Sequence, residues 1–283
     1  MVEHRPRSAA AAPAAEEAAR IDIVGLTKRF LTPKGETFTA IRDVTLTVEP
    51  GQFCAIVGPT GCGKSTTLAQ VSGLERPSAG SVSVGGRIVD GITSGVSYMF
   101  QADSLFPWKT VLANVMIGPI LLGTPKKEAT ALAMDWLRRV GLAGFEDRYP
   151  HQLSGGMRKR VAMAQTLITE PSLLLLDEPF GALDVQTREL MQDELLELWS
   201  GTGAAVVFVT HDLTEAISLA DRVVVMTAGP ATVKDVVTID LPRPRRVEDI
   251  RLTPEFTELY KRVWDSLREE VEITRARGAS RVA

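Results

Sequence analysis

The chain has 283 residues, of which 24% are charged and 45% hydrophobic, and its formal net charge is −3. These values are ordinary for a soluble globular protein, and the lack of a basic excess argues against nucleic acid as a partner. No stretch approaches the roughly 20 apolar residues that cross a bilayer, and no apolar signal segment opens the chain. The two cysteines, Cys54 and Cys62, lie eight residues apart without metal-ligand spacing, which favours a reducing, cytosolic compartment. A role at a membrane would therefore require docking on another protein.

Residues 1–20 contain little that could be buried, and we expect a disordered leader there. The alternating stretches IDIVGLTKRF and TAIRDVTLTVEPG then predict two strands joined by a loop. QFCAIVG is a continuous apolar run, typical of a buried parallel strand, and KSTTLAQVSGL predicts a helix. SVSVGGRIVDG predicts a hairpin that turns at Gly85 and Gly86, and a short strand, GVSYMFQ, follows.

From about residue 102 to 157 the pattern is helical, and we expect an inserted helical subdomain that includes TVLANVMIGPILL. Beyond it, the apolar runs SLLLLDEP, AAVVFVT and DRVVVMTAG alternate with helical segments. This alternation predicts an α/β core with a mainly parallel sheet, completing a domain over residues 21–240.

Residues 241–283 form a separate tail. LPRPRRVEDI contains two prolines and predicts an extended linker. A helix should begin at Pro254, with Thr253 as its N-cap. Helical spacing places seven apolar residues on one face of that helix, which we expect to pack on its own domain rather than on a partner. These residues are Phe256, Leu259, Tyr260, Val263, Trp264, Leu267 and Val271.

GPTGCGKST, residues 58–66, fits the phosphate-binding pattern G-x-x-x-x-G-K-[ST] between a predicted strand and a predicted helix. Backbone N–H groups of such a turn converge on phosphate oxygens, Lys64 reaches the β- and γ-phosphates, and Ser65 offers its hydroxyl to Mg²⁺. The alternative is a glycine-rich turn that binds nothing. The candidate nucleotide-binding residues are Gly58, Pro59, Thr60, Gly61, Cys62, Gly63, Lys64, Ser65 and Thr66.

SLLLLDEP ends a buried strand in two acids, which are costly there unless a ligand requires them. Beside a phosphate-binding loop, Asp177 would hold Mg²⁺ and Glu178 would polarise the water that attacks the γ-phosphate. The alternative is a solvent-facing turn.

LSGGMRKR, residues 153–160, is a second anion-binding turn. Ser154, Gly155 and Gly156 precede a helix, so they offer N–H groups and the positive end of a dipole, although they could also form a plain helix cap.

Together, the three motifs resemble those of the ATP-binding subunits of ABC transporters, and the resemblance covers roughly residues 21–275. It implies a P-loop NTPase core, that is, a RecA-like, mainly parallel sheet, with an N-terminal antiparallel β subdomain and an inserted α-helical subdomain. It implies ATP and Mg²⁺ as ligands. It also implies a role for the turn at Ser154, Gly155 and Gly156, called the signature turn. The signature turn of one copy would bind an ATP held by the phosphate-binding loop of a second copy, so that two chains sandwich two ATP molecules head to tail.

The resemblance assigns four further residues. Gln101 would sense Mg²⁺ and the γ-phosphate, His211 would reach that phosphate or orient Glu178, and Asp184 would organise the dimer seam. Phe30 would stack on adenine, although a phenylalanine at a strand end can equally belong to a core.

Three residues raise separate questions. The helix after the signature reads RKRVAMAQTL, where the family commonly has a pattern like RQRVALARAL, and the sequence offers no physical reason for Lys159 and Gln165. Cys62 is expected to be only a small residue in a tight turn, and we hypothesise that its thiol is exposed and protected by ATP.

QADSLFPWKTVLANV and the tail resemble the ATPases of bacterial nitrate, sulfonate and taurine importers. The resemblance implies two permease subunits and a periplasmic binding protein as partners, at the cytoplasmic face of the membrane. Leu105, Phe106 and Trp108 are either a docking socket for the permease or local packing. Three alternatives are an importer ATPase for another solute class, a soluble ABC ATPase acting on DNA or ribosomes, and an inactive cassette used as a regulatory module.

Overall fold

The computed structural model describes residues 19–102 and 104–282. Its strands are β1 Ile21–Leu31, β2 Thr37–Val48, β3 Phe53–Val57, β4 Ala79–Val84, β5 Arg87–Ile88, β6 Val96–Met99, β7 Leu173–Asp177, β8 Ala205–Val209, β9 Arg222–Met226 and β10 Val233–Thr238. Its helices are α1 Lys64–Val71, α2 Val111–Val115, α3 Ile117–Leu121, α4 Lys126–Arg139, α5 Gly155–Leu167, α6 Val185–Trp199, α7 Leu213–Leu219, α8 Val247–Ile250 and α9 Pro254–Val282.

A six-stranded sheet in the order β10-β9-β3-β8-β7-β6 forms the centre of the domain. Its strands pair in parallel, except that β10 runs antiparallel to β9. All residues of β3, β7 and β8 are buried, as expected of continuous apolar runs that are covered on both faces. The parallel α/β core predicted from the sequence is confirmed, whereas β10 was not predicted.

Alternate residues of β3 belong to two different hydrophobic cores. Phe53, Ala55 and Val57 pack with the helices on one side of the sheet, and Cys54 and Ile56 pack with the antiparallel sheet and α1 on the other. Successive side chains of a strand point to opposite faces, so one short apolar run contributes to both layers.

The antiparallel sheet has the order β2-β1-β4-β5, and the predicted hairpin turns at Gly85 and Gly86. Both glycines have positive φ, which suits the tight turn. The expected leader includes Ala19 and Arg20, yet Ala19 is buried and Arg20 forms an ion pair with Glu49. The leader was therefore predicted two residues too long at this end, and its residues 1–18 lie outside the described residues.

The inserted segment is helical, but TVLANVMIGPILL forms two short helices, α2 and α3, rather than one. Asn114 of α2 is fully buried, and its side-chain oxygen accepts a 2.8 Å hydrogen bond from the amide of Phe106. Its amide group donates to the carbonyls of Phe106, Lys109 and Thr110. Asn114 thereby fixes the loop that carries Phe106 and Trp108.

The prediction of an extended linker over residues 241–250 is wrong in part, because Val247–Ile250 is helical. Arg245 is 5% exposed and donates to the carbonyls of Leu241, Ser218, Ala220 and Ile239. Since so many carbonyl oxygens surround one guanidinium group, the segment is held against the domain. Burial lowers the pKa of Arg245 to about 10, so it stays protonated at neutral pH.

Helix α9 packs against α7 and β9, and the hydroxyl of Thr253 accepts a hydrogen bond from the amide of Phe256 as the predicted N-cap. Phe256, Val263 and Leu267 are buried in the helical core, as predicted, whereas Tyr260 and Trp264 of the same predicted face are exposed. Within residues 19–102 and 104–282, the structure contains no helix with the length and apolar character needed to span a bilayer.

Candidate functional site

The residues joining β3 to α1 form the floor of a cavity of about 420 Å³. Gly63 ends this loop with φ of 123°, and a Cβ there would lie 3.2 Å from the carbonyl oxygen of Ala40. Only glycine combines that backbone conformation with so close an approach. The cavity is lined by Phe30, Phe38, Ala40, Thr60, Gly61, Gly63, Lys64, Ser65, Thr66, Gln101, Glu178 and His211.

Lys64 begins α1 and is 4% exposed. Its ammonium group donates to the carbonyls of Gly58 at 2.9 Å and Pro59 at 3.2 Å. A lysine ammonium has three protons, and these two bonds hold it within the loop with one further donor for a phosphate oxygen.

Asp177, at the end of β7, faces the first turn of α1. Its Oδ1 accepts a 2.9 Å hydrogen bond from the hydroxyl of Ser65, and its Oδ2 accepts one of 3.2 Å from the hydroxyl of Tyr98. Burial raises the pKa of Asp177, although both hydrogen bonds oppose the shift. A neighbouring hydroxyl and carboxylate are the hard oxygen donors that Mg²⁺ takes, so these residues fit that ion.

Within the described part of the chain, no three His, Cys, Asp or Glu side chains group together as metal ligands. Tyr98 was missed by sequence reasoning. The available signal was a polar tyrosine in the short strand GVSYMFQ, next to the acid-ended strand.

Glu178 follows Asp177 with φ of 43°, a left-handed conformation that is uncommon for a residue other than glycine. Its amide donates to the carbonyl of Val209, which holds this backbone in place. Strained residues of this kind cluster at functional sites.

The side chain of Glu178 joins the two strand ends that flank it. Its Oε2 lies 3.0 Å from Nδ1 of His211. The same oxygen accepts a 3.5 Å hydrogen bond from the side-chain nitrogen, Nε2, of Gln101. Parallel strands β6, β7 and β8 end at one edge of the sheet, so three residues far apart in sequence meet beside the phosphate-binding loop.

Phe30 and Phe38 are paired across β1 and β2, and both line the cavity. Phe30 is half-buried, and the ammonium group of Lys28 lies 5.1 Å from its ring centre. The sequence singled out Phe30 but missed Phe38, because the prediction assigned Phe38 to a hairpin loop.

The signature turn lies elsewhere. Among the described residues that line the cavity, none comes from 154–156. The hydroxyl of Ser154 accepts a 3.3 Å hydrogen bond from the amide of Met157 and caps α5. Asp184 similarly caps α6, since its carboxylate accepts the amide of Thr187 at 3.0 Å, and that bond lowers the pKa of Asp184.

The hypothesis that the Cys62 thiol is exposed is wrong. Cys62 is 2% exposed and belongs to the core between the two sheets. Burial raises the pKa of its thiol, so little thiolate forms at neutral pH.

The three apolar residues of the candidate docking socket differ in exposure. Leu105 is buried, whereas Phe106 and Trp108 are 36% and 70% exposed and lie edge to face with ring centres 5.5 Å apart.

A strand, a glycine-rich phosphate-binding loop and a helix, beside a strand that ends in Asp177 and Glu178, define a P-loop nucleotide hydrolase. The family model described as ABC transporter matches residues 41–181. An uncharacterised ABC transporter ATP-binding protein of Methanocaldococcus jannaschii is 44% identical over 252 residues, which cover 89% of this chain and 92% of that protein. The chain therefore belongs to the ABC transporter family and is one of its ATP-hydrolysing subunits.

Other relatives carry more specific names. A bicarbonate transport ATP-binding protein of Synechocystis sp. is 42% identical and covers 87% of this chain and 88% of its own length. A nitrate import ATP-binding protein of the same organism is 39% identical and covers 90% and 98%. An ATP-binding cassette solved as a dimer with ADP and phosphate has a TM-score of 0.70, is 29% identical, and covers 78% of this chain and all of that chain. This structural similarity confirms the predicted fold class.

Proposed function

We propose that this chain hydrolyses ATP to drive uptake of a small anionic solute, such as nitrate, an aliphatic sulfonate or taurine, through a separate permease. The observation that carries the proposal is the meeting of Gln101, Glu178 and His211 at the rim of the cavity formed by the phosphate-binding loop. The solute class is supported by the names of the relatives, which are bicarbonate and nitrate transport subunits.

Each side chain then has one task. Lys64 and the loop amides bind the phosphates. Ser65, Asp177 and Gln101 would hold Mg²⁺, which when bound would supply positive charge to the phosphates. Glu178 accepts a proton from the attacking water, and His211 keeps the Glu178 carboxylate oriented. Phe30 supports adenine by stacking, and Phe38, its cross-strand neighbour in the cavity lining, widens the same apolar wall.

The active unit is a head-to-tail dimer. Ser154, Gly155 and Gly156 lie outside the cavity of their own chain, yet they form a capped helix N-terminus of the kind that binds anions. They would complete the site of a second copy, with Asp184 at the seam. The dimeric state of the solved relative supports this arrangement.

Docking to two permease subunits would place the chain at the cytoplasmic face of the inner membrane, with a periplasmic or lipid-anchored binding protein supplying the solute. Phe106 and Trp108 support this step, because they are exposed aromatic residues on a loop that is hydrogen-bonded to the buried Asn114. The loop follows Gln101 closely in sequence, so movement at the nucleotide could reach the permease.

Glu178→Gln tests the nucleotide chemistry. The variant should keep ATP binding but lose at least about 100-fold in turnover, which corresponds to roughly 2.7 kcal/mol of barrier. It should also form a dimer in ATP and Mg²⁺ on gel filtration.

Ser154→Arg should bind ATP as a monomer and lose ATPase activity. If Ser154→Arg kept full activity, each site would be complete within one chain, contrary to the proposal.

The transport step is tested with a tagged chain purified together with its membrane partners and reconstituted in vesicles. We expect uptake of nitrate, bicarbonate or taurine, supplied with the binding protein, to require ATP. Replacing Phe106 and Trp108 by Ala should remove the membrane partners, whereas Ile92→Ala, which changes an even more exposed apolar residue elsewhere, should not. Copurification with a ribosome or DNA instead would favour a soluble ABC ATPase.

A further inference from the structure

Lys159 has an unusual position for a lysine. It lies in the second turn of α5, just after the signature residues, and is only 3% exposed. A buried ammonium group is costly unless strong acceptors surround it. One acceptor is the backbone carbonyl of Gln101, which receives a 2.9 Å hydrogen bond from Nζ of Lys159 although the two residues are 58 positions apart.

This bond connects two functional elements of one chain. Helix α5 begins at the signature turn and packs against β6, and Gln101 follows β6. The carbonyl that Lys159 holds belongs to the same residue whose side chain reaches Glu178 at 3.5 Å.

We propose that Lys159 is a positioning residue for Gln101. By anchoring the carbonyl of Gln101 to α5, it keeps the amide side chain directed at Glu178 and at the space where Mg²⁺ and the γ-phosphate would bind. It also ties Gln101 to the helix whose N-terminus grips the nucleotide of the second copy. The inference rests on the proposed role of Gln101 in nucleotide hydrolysis.

The residue type suits this role. The pattern that this helix resembles, RQRVALARAL, has glutamine where this chain has Lys159. A lysine is longer and charged, and a charge-assisted hydrogen bond to a carbonyl is roughly twice as strong as a neutral one. The departure from the family pattern that the sequence left unexplained thereby acquires a physical reason. Gln165, the other departure, lies half-buried further along α5, and nothing in the structure explains it.

Lys159→Met removes the donor but keeps most of the volume and the helix propensity. We expect the turnover number to fall about 10-fold, because a charged hydrogen bond is lost, while the KM for ATP changes little. Gln165→Ala is the matched control on the same helix and should leave both constants unchanged. Lys159→Arg, which keeps a charged donor, should restore at least part of the turnover.

A second measurement needs no nucleotide. In Lys159→Met, hydrogen exchange of the peptide covering residues 96–102 should be faster than in the parent protein, while exchange in α1 stays the same. Unchanged exchange of that peptide would overturn the inference, because Lys159 would then not hold the backbone there.

A double-mutant comparison separates this inference from the proposed function. In a Gln101→Ala background, Lys159→Met should cause no further loss of turnover, because both changes remove one function. If the two losses multiply, Lys159 acts independently of Gln101 and the inference fails. If Gln101→Ala alone leaves turnover unchanged, the proposed role of Gln101 fails instead.

Discussion

The hydroxyl of Thr210 donates a 2.6 Å hydrogen bond to Oε2 of Glu215 and at the same time accepts the amide of Asp212 at 3.0 Å. The other oxygen of Glu215 accepts a 3.1 Å bond from the side-chain amide of Gln192. Glu215 is 4% exposed, so the turn that carries His211 is built on a buried carboxylate. Burial raises the pKa of Glu215, and the bond from Thr210 opposes that shift.

Thr210→Val removes both hydrogen bonds of the hydroxyl at nearly constant volume. A buried carboxylate that loses a donor should lower the free energy of unfolding by about 1–3 kcal/mol, measured by urea denaturation. The turnover number should also fall, because the turn at His211 is less well held. Thr210→Ser keeps the hydroxyl and should restore most of both quantities. Equal stability of the Val variant and the parent protein would mean that the bond contributes nothing.

His211→Ala removes the only imidazole that touches Glu178 among the residues described. Because Glu178 then loses its 3.0 Å partner, we expect turnover to fall roughly 100-fold while the Kd for ATP stays within about 2-fold. The measurements are phosphate release and nucleotide binding. His151→Ala is the control, since His151 is exposed and stacks on Tyr149 away from the cavity. A large rise in the Kd instead would make His211 a binding residue.

Asp177→Asn should stabilise the protein in EDTA at about pH 7.5 while abolishing Mg²⁺-dependent hydrolysis. Burial raises the folded-state pKa of Asp177 above its ordinary value of 3.8, so the folded protein bears a desolvation cost whenever this group is ionised. Stability from such a group is present below the ordinary pKa and is lost as pH rises through the folded pKa.

The gain in melting temperature from Asp177→Asn should therefore shrink as the pH is lowered, because the wild-type carboxyl group takes up its proton first in the folded state. The measurement is a series of thermal melts between about pH 7.5 and pH 4, with both proteins in the same buffer. A variant that melts below the parent protein at about pH 7.5 would contradict this assignment.

Arg245→Met should lower the free energy of unfolding by about 3 kcal/mol, because several buried carbonyl oxygens lose their donor at once. ATPase activity per folded molecule at low temperature should be unchanged, since Arg245 lies outside the cavity. Arg246→Met is the neighbouring control, because that side chain is exposed. Melting curves that coincide for the two variants would show that the buried guanidinium group is dispensable.

Much of the fold was predictable from the sequence because local patterns dictate it. The runs FCAIV and LLLLD are too apolar to lie anywhere but in a sheet covered on both faces, and both strands are buried throughout. The phosphate-binding loop, the strand-end acids and Thr253 as a helix cap depend on short-range spacing. Strand β10 was not predicted, and the short helix that begins at Val247 was predicted to be extended. Both segments have weak local patterns, which tertiary packing overrode.

Tyr98 was missed because its partner is distant in the chain. Its hydroxyl reaches Asp177 across 79 positions, and nothing in either local stretch marks the pair. Phe38 was missed for a local reason, because it was assigned to the loop between the first two strands. The hypothesis about Cys62 was wrong for a different reason. A thiol inside a binding loop was expected to be accessible, but the thiol of Cys62 faces the core.

Motif spacing and apolar patterning in the sequence alone determined the class of this protein, its phosphate-binding loop and its pair of strand-end acids, because those features depend on neighbouring residues. The tertiary structure decided that Glu178, His211 and Gln101 converge, that the signature turn stays outside the cavity of its own chain, and that Lys159 anchors Gln101. These relationships depend on strand order and helix packing, which bring together residues that no local pattern connects.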